Sequence, residues 1–359
     1  MVQHPSFQPF VHLYPGNSFW RWFKFLILPG PIIGLLKALC FLLAWVVFYV
    51  NLRIIFIGYR SWDKPASKWR RRLSQFALWL ANIQTCLAFC IIPKYVDHSK
   101  RDPKDPKSKT HPSFSWDQSY TLVGNHLSVY DPIIGGSYLG NPSVMANGAF
   151  MNVPILGFIL KHFRAVAAYR DKTDHTKRKS ASEVYVDRIN NPQEGEYPVC
   201  IYPEGTDTNG SCVTRFHKGA FLPGKPVRPF IIKYPGKQLN MAWDSISAVS
   251  LVWETACQFY CRFELHVFDL YYPSESEQAD PELYSQNVGK FIAYQLGVPY
   301  RPECDIPHYL IASKLWNKKL TWDEALCQLE QINQPLASPT TQTDSEKKET
   351  ATHTPVSVV

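Results

Sequence analysis

Thr121-Leu122-Val123-Gly124-Asn125-His126-Leu127-Ser128-Val129-Tyr130-Asp131 is the stretch whose reading decides the fold. Ser119–Gly124 is a short apolar run closed by glycine, which predicts a strand. Val129–Leu139 carries a helical period, so strand gives way to helix within a few residues. A second such end follows at Pro198–Tyr202, which runs into Pro203-Glu204-Gly205-Thr206. Working outward, Ala165–Tyr169, Val227–Tyr234 and Phe263–Leu270 read as strands. Pro154–Phe163, Thr176–Ile189, Ile246–Phe259 and Pro281–Leu296 read as helices. The alternation predicts an α/β sheet covered by helices.

Both strand ends fall where an α/β sheet forms its site lip, at strand C-termini. His126 stands just past the first. Asp131 lies five residues on, about one and a third helical turns, so the pair is not stacked as i and i+4 neighbours are. With His126 in the loop before the helix, its ring can fold back onto the carboxylate. The carboxylate then fixes the tautomer, leaves the other nitrogen free as a base and supports the imidazolium formed on proton transfer. Chance readily supplies one such spacing in a chain with 11 histidines, so the pair needs the second strand end beside it. There Glu204, Gly205 and Thr206 form either a plain turn or a grip for a polyol or phosphate.

The 359 residues suffice for one large domain or two ordinary ones without disulfide or metal staples. A hydrophobic share of 45% excludes a wholly disordered chain. The net charge of +8 suits an anionic partner, but the basic residues are scattered and no nucleic-acid motif is present, which places nucleic acid low. The 9 cysteines are dispersed without a C-x-x-C pair, reading as free thiols in a reducing compartment and not as a metal site.

Ile32–Val50 is apolar apart from Lys37 and long enough to cross about 30 Å of hydrocarbon. Pro29-Gly30-Pro31 before it allows a re-entrant hairpin as the alternative to a span. Arg53, Arg60, Lys64, Lys68, Arg70, Arg71 and Arg72 follow, which places the rest of the chain in the cytosol. Ser74–Ile92 reads as a second, more polar helix lying on the membrane or on the domain. The organisation expected is an N-terminal anchor over 1–60, an interfacial helix region over 61–95, the catalytic domain over 96–300, a helical extension over 301–334 and a disordered tail over 335–359. Residues 97–113 read as a solvated loop, and Asn209-Gly210-Ser211 is a glycosylation sequon.

Together, the His126/Asp131 segment and Tyr202-Pro203-Glu204-Gly205-Thr206 resemble the first and third motifs of the glycerolipid acyltransferase superfamily, the family of lysophosphatidic acid acyltransferases. Val153-Pro154-Ile155-Leu156-Gly157 followed by Arg164–Arg170 is similar to the middle motif, ending in Arg170, though its usual Gly-x-x-Phe lead-in is missing. Val227-Arg228-Pro229-Phe230 is similar to the fourth. Pro9–His12, Thr208–Cys212, Phe216–Gly224, Trp253–Phe259 and Tyr272–Glu275 narrow the likeness to the lysophosphatidylcholine acyltransferase branch, over roughly residues 8–300. Two features depart from it: Asp207 stands where many members carry Arg and this branch often Cys, and the EF-hand loops of some members are absent.

The resemblance implies an acyltransferase-type mixed sheet, His126 and Asp131 as catalytic residues, and Asn125, Arg170, Glu204, Gly205, Thr206 and Pro229 as substrate-binding residues. It implies acyl transfer from acyl-CoA, a co-substrate, to a lysophospholipid, with lysophosphatidylcholine as the leading acceptor. No metal or redox cofactor is implied. The partners implied are membrane lipids, at the endoplasmic reticulum. The alternatives are a 1-acylglycerol-3-phosphate or lysophosphatidylethanolamine acyltransferase, or a CoA-independent transacylase. A lipase would need a Gly-x-Ser-x-Gly elbow, and the chain has none. A non-catalytic adaptor would be expected to lose His126 or Asp131.

Overall fold

A computed structural model describes residues 4–13, 19, 23, 30–59, 64–99, 121–168, 180–193, 195–236, 239–243 and 245–333. Arg170, residues 100–113 and the 335–359 tail lie outside the described residues, as do Pro29, most of Trp20–Leu26 and the start of Thr176–Ile189.

The body is a seven-stranded sheet built from β1 (Ile91–Asp97), β2 (Thr121–Gly124), β3 (Ser143–Asn147), β4 (Val166–Ala168), β5 (Val199–Ile201), β7 (Val227–Lys233) and β8 (Cys261–Val267). Their spatial order is β1-β8-β7-β2-β5-β3-β4. The pairs are parallel except β7 with β8, so the sheet is mixed. β6 (Val213–Thr214) and β9 (Tyr300–Arg301) form a separate two-stranded ladder.

All four residues of β2 are buried, as befits a central strand covered on both faces. Side chains alternate between two cores. Leu122, Phe230 and Ile232 join Phe89, Tyr130 and Phe263 on one face. Val123, Ile201 and Ile231 join Tyr185, Tyr284, Val288 and Ile292 on the other. Gly124 admits no side chain, since a Cβ there would stand 2.4 Å from the Phe230 ring. The strand therefore ends flush against its neighbour, which sets where Asn125 and His126 begin.

The helices are α1 (Leu35–Ile55), α2 (Lys68–Phe89), α3 (Pro154–His162), α4 (Ala181–Asn190), α5 (Ala248–Ala256), α6 (Pro281–Leu296), α7 (Ile306–Trp316) and α8 (Trp322–Asn333). α6 has complete punctuation. Asp280 accepts from the Glu282 and Leu283 amides, Pro281 opens the first turn and Gly297 closes the helix at φ +75°. The helix expected after Asp131 is a wide π turn, Asp131–Gly135, followed by a single α turn, Gly136–Tyr138.

Ile32–Ile55 is one helix long and apolar enough to cross a membrane. Only Ala44, Phe48 and Leu52 are buried along α1, a stripe one residue wide at four-residue spacing. That stripe packs on Ala77, Leu78 and Ala81 of α2, and Trp45 Nε1 donates to Thr85 Oγ1 at 3.2 Å. Lys37 Nζ does not run free to a surface: it donates to the Gln258 carbonyl at 2.6 Å.

Two boundaries differ from the sequence reading. The second helix stops at Phe89, where Cys90 takes a left-handed conformation (φ 51°), and Ile91–Asp97 is a strand paired in parallel with β8. Its place at the sheet edge is what tolerates Pro93 within it. The N-terminal segment does not belong wholly to an anchor either. Pro5–Phe10 is a 3-10 turn whose Phe7 and Phe10 are buried against Ile311, Leu315, Ala325 and Leu329 of α7 and α8.

Candidate active site

β5, β2 and β7 lie side by side and run parallel, so their C-terminal ends open onto one lip. β2 delivers Asn125 and His126, β5 delivers Tyr202–Asp207, and β7 delivers Tyr234.

Asp131 is fully buried and held from four directions. Its Oδ2 accepts from His126 Nδ1 at 2.8 Å and from the backbone amides of Leu127 (2.6 Å) and Ser128 (2.9 Å). Its Oδ1 accepts from the Tyr234 hydroxyl at 2.5 Å. A carboxylate with this many donors does not rotate. The His126 ring is thus fixed at Nδ1, with Nε2 facing Asp207, and it stacks on Tyr202 with centroids 4.2 Å apart and planes 16° apart. The side chain keeps 21% exposure, enough for a small group to reach Nε2.

Glu204 is fully buried, and both its oxygens hold backbone. Oε1 accepts from the His126 amide at 3.0 Å; Oε2 accepts from the Thr214 amide at 3.0 Å and hydroxyl at 2.8 Å. It ties the β2 end, the β5 end and β6 together. Burial pushes its carboxyl up to about 7, against the pull of these donors. Asn125 is a second clamp: its amide exchanges two hydrogen bonds with the Ile232 backbone, 3.0 and 2.8 Å, fastening β2 to β7. Gly205 turns the chain at φ +68°, where a Cβ would meet Ile306 2.9 Å away. Thr206 is buried beside it, and Pro229 is buried within β7 opposite Val123.

The residues not singled out as site residues from sequence are Tyr234 and Asp207. Asp207 Oδ1 lies 3.2 Å from His126 Nε2, with its side chain 19% exposed. Burial alone pulls the His126 ring down, but the carboxylates of Asp207, Asp131 and Glu204 outweigh it and raise the ring to about 9. Tyr234 had no signal of its own, because its role depends on β7 lying next to β2. Asp207 had one: it broke the motif pattern.

An apolar groove of about 540 Å³ lies between α2, β1 and the turn that follows Asp131. Trp79, Cys86, Ile91, Ile134 and Tyr138 line it, and Ser137 and the buried Asn82 add its polar atoms. Among the described residues no group of His, Cys, Asp and Glu could hold a metal ion. Asn209 is buried, its amide donates to the carbonyls of Gln8 (2.6 Å) and Val11 (2.8 Å), and its oxygen accepts from Ser211. The sequon asparagine is thus hidden in the fold, and it carries no information on which side of a membrane the domain lies.

A buried carboxylate–histidine pair on the lip of a mixed α/β sheet is an arrangement that can accept and return a proton. Residues 105–233 match the family model described as Acyltransferase. It is 32% identical over 227 residues to "Lysophosphatidylcholine acyltransferase" of Drosophila melanogaster, covering 63% of this chain and 42% of that protein. To "Lysophospholipid acyltransferase LPCAT4" of Xenopus tropicalis it is 27% identical, covering 82% of this chain and 53% of that one. The match therefore spans about half the length of these relatives. The crystal structure of the 1-acyl-sn-glycerophosphate (LPA) acyltransferase from Thermotoga maritima aligns with a TM-score of 0.48 at 17% identity, covering 73% of this chain and 97% of that one.

Proposed function

We propose that this chain is a membrane-bound acyltransferase that moves an acyl group from acyl-CoA to the free hydroxyl of a lysophospholipid, with lysophosphatidylcholine the leading acceptor. The observation that carries the reading is the His126–Asp131 pair: a 2.8 Å contact from Nδ1 to a buried, four-fold bonded carboxylate, which leaves Nε2 as the nitrogen for proton transfer. The names of the relatives support the class of acceptor.

In the step proposed, the lysophospholipid hydroxyl gives its proton to His126 Nε2 as its oxygen attacks the thioester carbon. The C–S bond then breaks, and the CoA sulfur leaves as thiolate and takes up a proton. Such base assistance accelerates transfer by about 10²–10⁴-fold. Asp131 stabilises the imidazolium formed in between. An acyl-enzyme is not needed. Ser128, the nearest hydroxyl in sequence, is fully buried and accepts from the Tyr130 amide. The apolar groove lined by Ile134 and Tyr138 suits the donor's acyl chain, and Arg170 remains our assignment for the acceptor's phosphate. No metal or redox step enters this route.

The membrane reading rests on Ile32–Ile55, and the cytosolic placement rests on the basic residues from Arg53 to Arg72. The deciding experiment is purified protein offered a panel of lysophospholipids with acyl-CoAs, with products read by mass spectrometry. Transfer that needs free acyl-CoA and vanishes in His126→Ala is the expected result. Transfer between phospholipids without acyl-CoA would make the chain a transacylase, and full activity in His126→Ala would remove the base.

A further inference from the structure

With Nδ1 given to Asp131, His126 has one working nitrogen, and the groups around that nitrogen decide when it can accept a proton. The charged groups facing the ring are all carboxylates among the described residues. Asp131 lies on its own turn, while Glu204 and Asp207 come from the loop after β5. Tyr202 covers one ring face, and Tyr234 stands behind Asp131. Of the three carboxylates, two are committed elsewhere: Asp131 to Nδ1, two amides and a tyrosine, Glu204 to backbone and Thr214. Only Asp207 addresses Nε2, at 3.2 Å.

Resting on the acyl-transfer reading above, we propose that Asp207 is a positioning residue of this site: its carboxylate pairs with His126 Nε2 and must yield to the acceptor hydroxyl before the ring can take a proton.

The argument is one of charge and place. A neutral ring with its hydrogen on Nδ1 would present a lone pair to a carboxylate oxygen 3.2 Å away, which is repulsive. The imidazolium turns the same contact into an ion pair, with Asp131 supporting the other nitrogen. A ring so held is a poor base at neutral pH, because about one in a hundred would be unprotonated when the ring titrates near 9. The acceptor hydroxyl needs the position that Asp207 faces. Displacing the carboxylate therefore places the nucleophile and frees the base in one movement. Asp207 differs from Asp131 and Glu204 in its surroundings: its side chain stays 19% exposed, while theirs are fully buried.

The test reads the ring itself as well as turnover. Diethyl pyrocarbonate acylates neutral imidazole only, so the rate of His126 modification against pH, followed by peptide mass spectrometry on the full-length protein in detergent, reports the charge of the ring. In Asp207→Asn the midpoint is expected to fall by about one unit, raising modification at pH 7 about tenfold. The acid limb of kcat/KM should move by the same amount, so that transfer at pH 7 rises. Asp207→Ala should repeat both shifts, and Asp207→Glu should restore the wild-type curve. An unmoved modification curve in both neutral variants would overturn the pairing. A moved curve with transfer at pH 7 reduced would overturn the requirement that Asp207 yield, and assign it to holding the acceptor. A moved curve in a protein that acylates no lysophospholipid would sink the acyl-transfer reading and leave the pairing supported.

Discussion

Asp131 is fixed by its own turn on one side and by Tyr234, more than a hundred residues away in sequence, on the other. The two have different jobs. The Leu127 and Ser128 amides shape the loop that puts His126 on the carboxylate, while Tyr234 holds the carboxylate's second oxygen so that the pair cannot swing. A hydrogen bond to a charged group is worth about 1.5–3 kcal/mol. Tyr234→Phe keeps the ring that packs edge-on against Phe263 and removes the hydroxyl that bonds Asp131 and neighbours Ser128. It is expected to lower kcat about tenfold with KM for both substrates unchanged, measured by steady-state kinetics at saturating donor. A rise in KM with kcat preserved would mean that the hydroxyl serves substrate and not Asp131. His126 and Asp131 were visible in the sequence because they are local. Tyr234 was not, since its contact with Asp131 exists only because β7 lies beside β2.

At the scale of elements, legibility followed burial. β2 and β5 are covered on both faces and therefore read as plain apolar runs. β1 is an edge strand with Pro93 and Lys94 in its middle, and its composition merges with the tail of the preceding helix. β3, with Ser143 at one end and Asn147 at the other, has no apolar pattern to find. The strand–loop motif at Glu204 was legible as a motif, but what its carboxylate touches was not. Its partners are a backbone amide in another loop and Thr214 in β6, a pairing that only the sheet order creates. The groove is likewise a product of assembly, since α2, β1 and the turn after Asp131 each contribute a wall. If it receives the donor chain, its depth sets the chain length accepted. Cys86→Phe adds bulk to that wall, and selectivity among acyl-CoAs should shift from long toward short chains by about tenfold, on the scale of about 1–3 kcal/mol for small changes in pocket volume. Competition assays with mixed acyl-CoAs read this directly. Unchanged selectivity in a folded Cys86→Phe protein would place the acyl chain elsewhere.

For the molecule as a whole, the N-terminal segment is bound into the fold at two places, which changes what its removal would do. Phe48 and Leu52 of α1 are buried against α2, Ile159 and Phe163. Phe7 and Phe10 fill the core between α7 and α8, and the Pro5–Phe10 turn leads to the carbonyls that Asn209 holds, just past the site loop. Cutting at residue 60 would remove Phe7 and Phe10 from one core and Phe48, Leu52 and Phe56 from another, at about 3–5 kcal/mol for each phenylalanine lost from a packed site, against a total stability of about 5–15 kcal/mol. The truncated chain is therefore expected to misfold, not to become a soluble enzyme. The outward face of α1 is a different matter. Ile32, Leu36, Leu39, Leu43 and Val50 are exposed and touch no core, so their apolar surface acts between the protein and its surroundings, which on our reading is lipid. Replacing these five with serine or glutamine should leave the fold intact while the protein moves out of the pellet in alkaline carbonate, with circular dichroism and the mass-spectrometric transfer assay on detergent-dispersed substrate unchanged. If the five-fold variant stays fully in the membrane pellet, other surfaces hold the protein there, with the exposed Leu73, Phe76 and Trp79 of α2 next in line. A wild-type protein recovered in the soluble fraction at high salt would remove the membrane reading altogether.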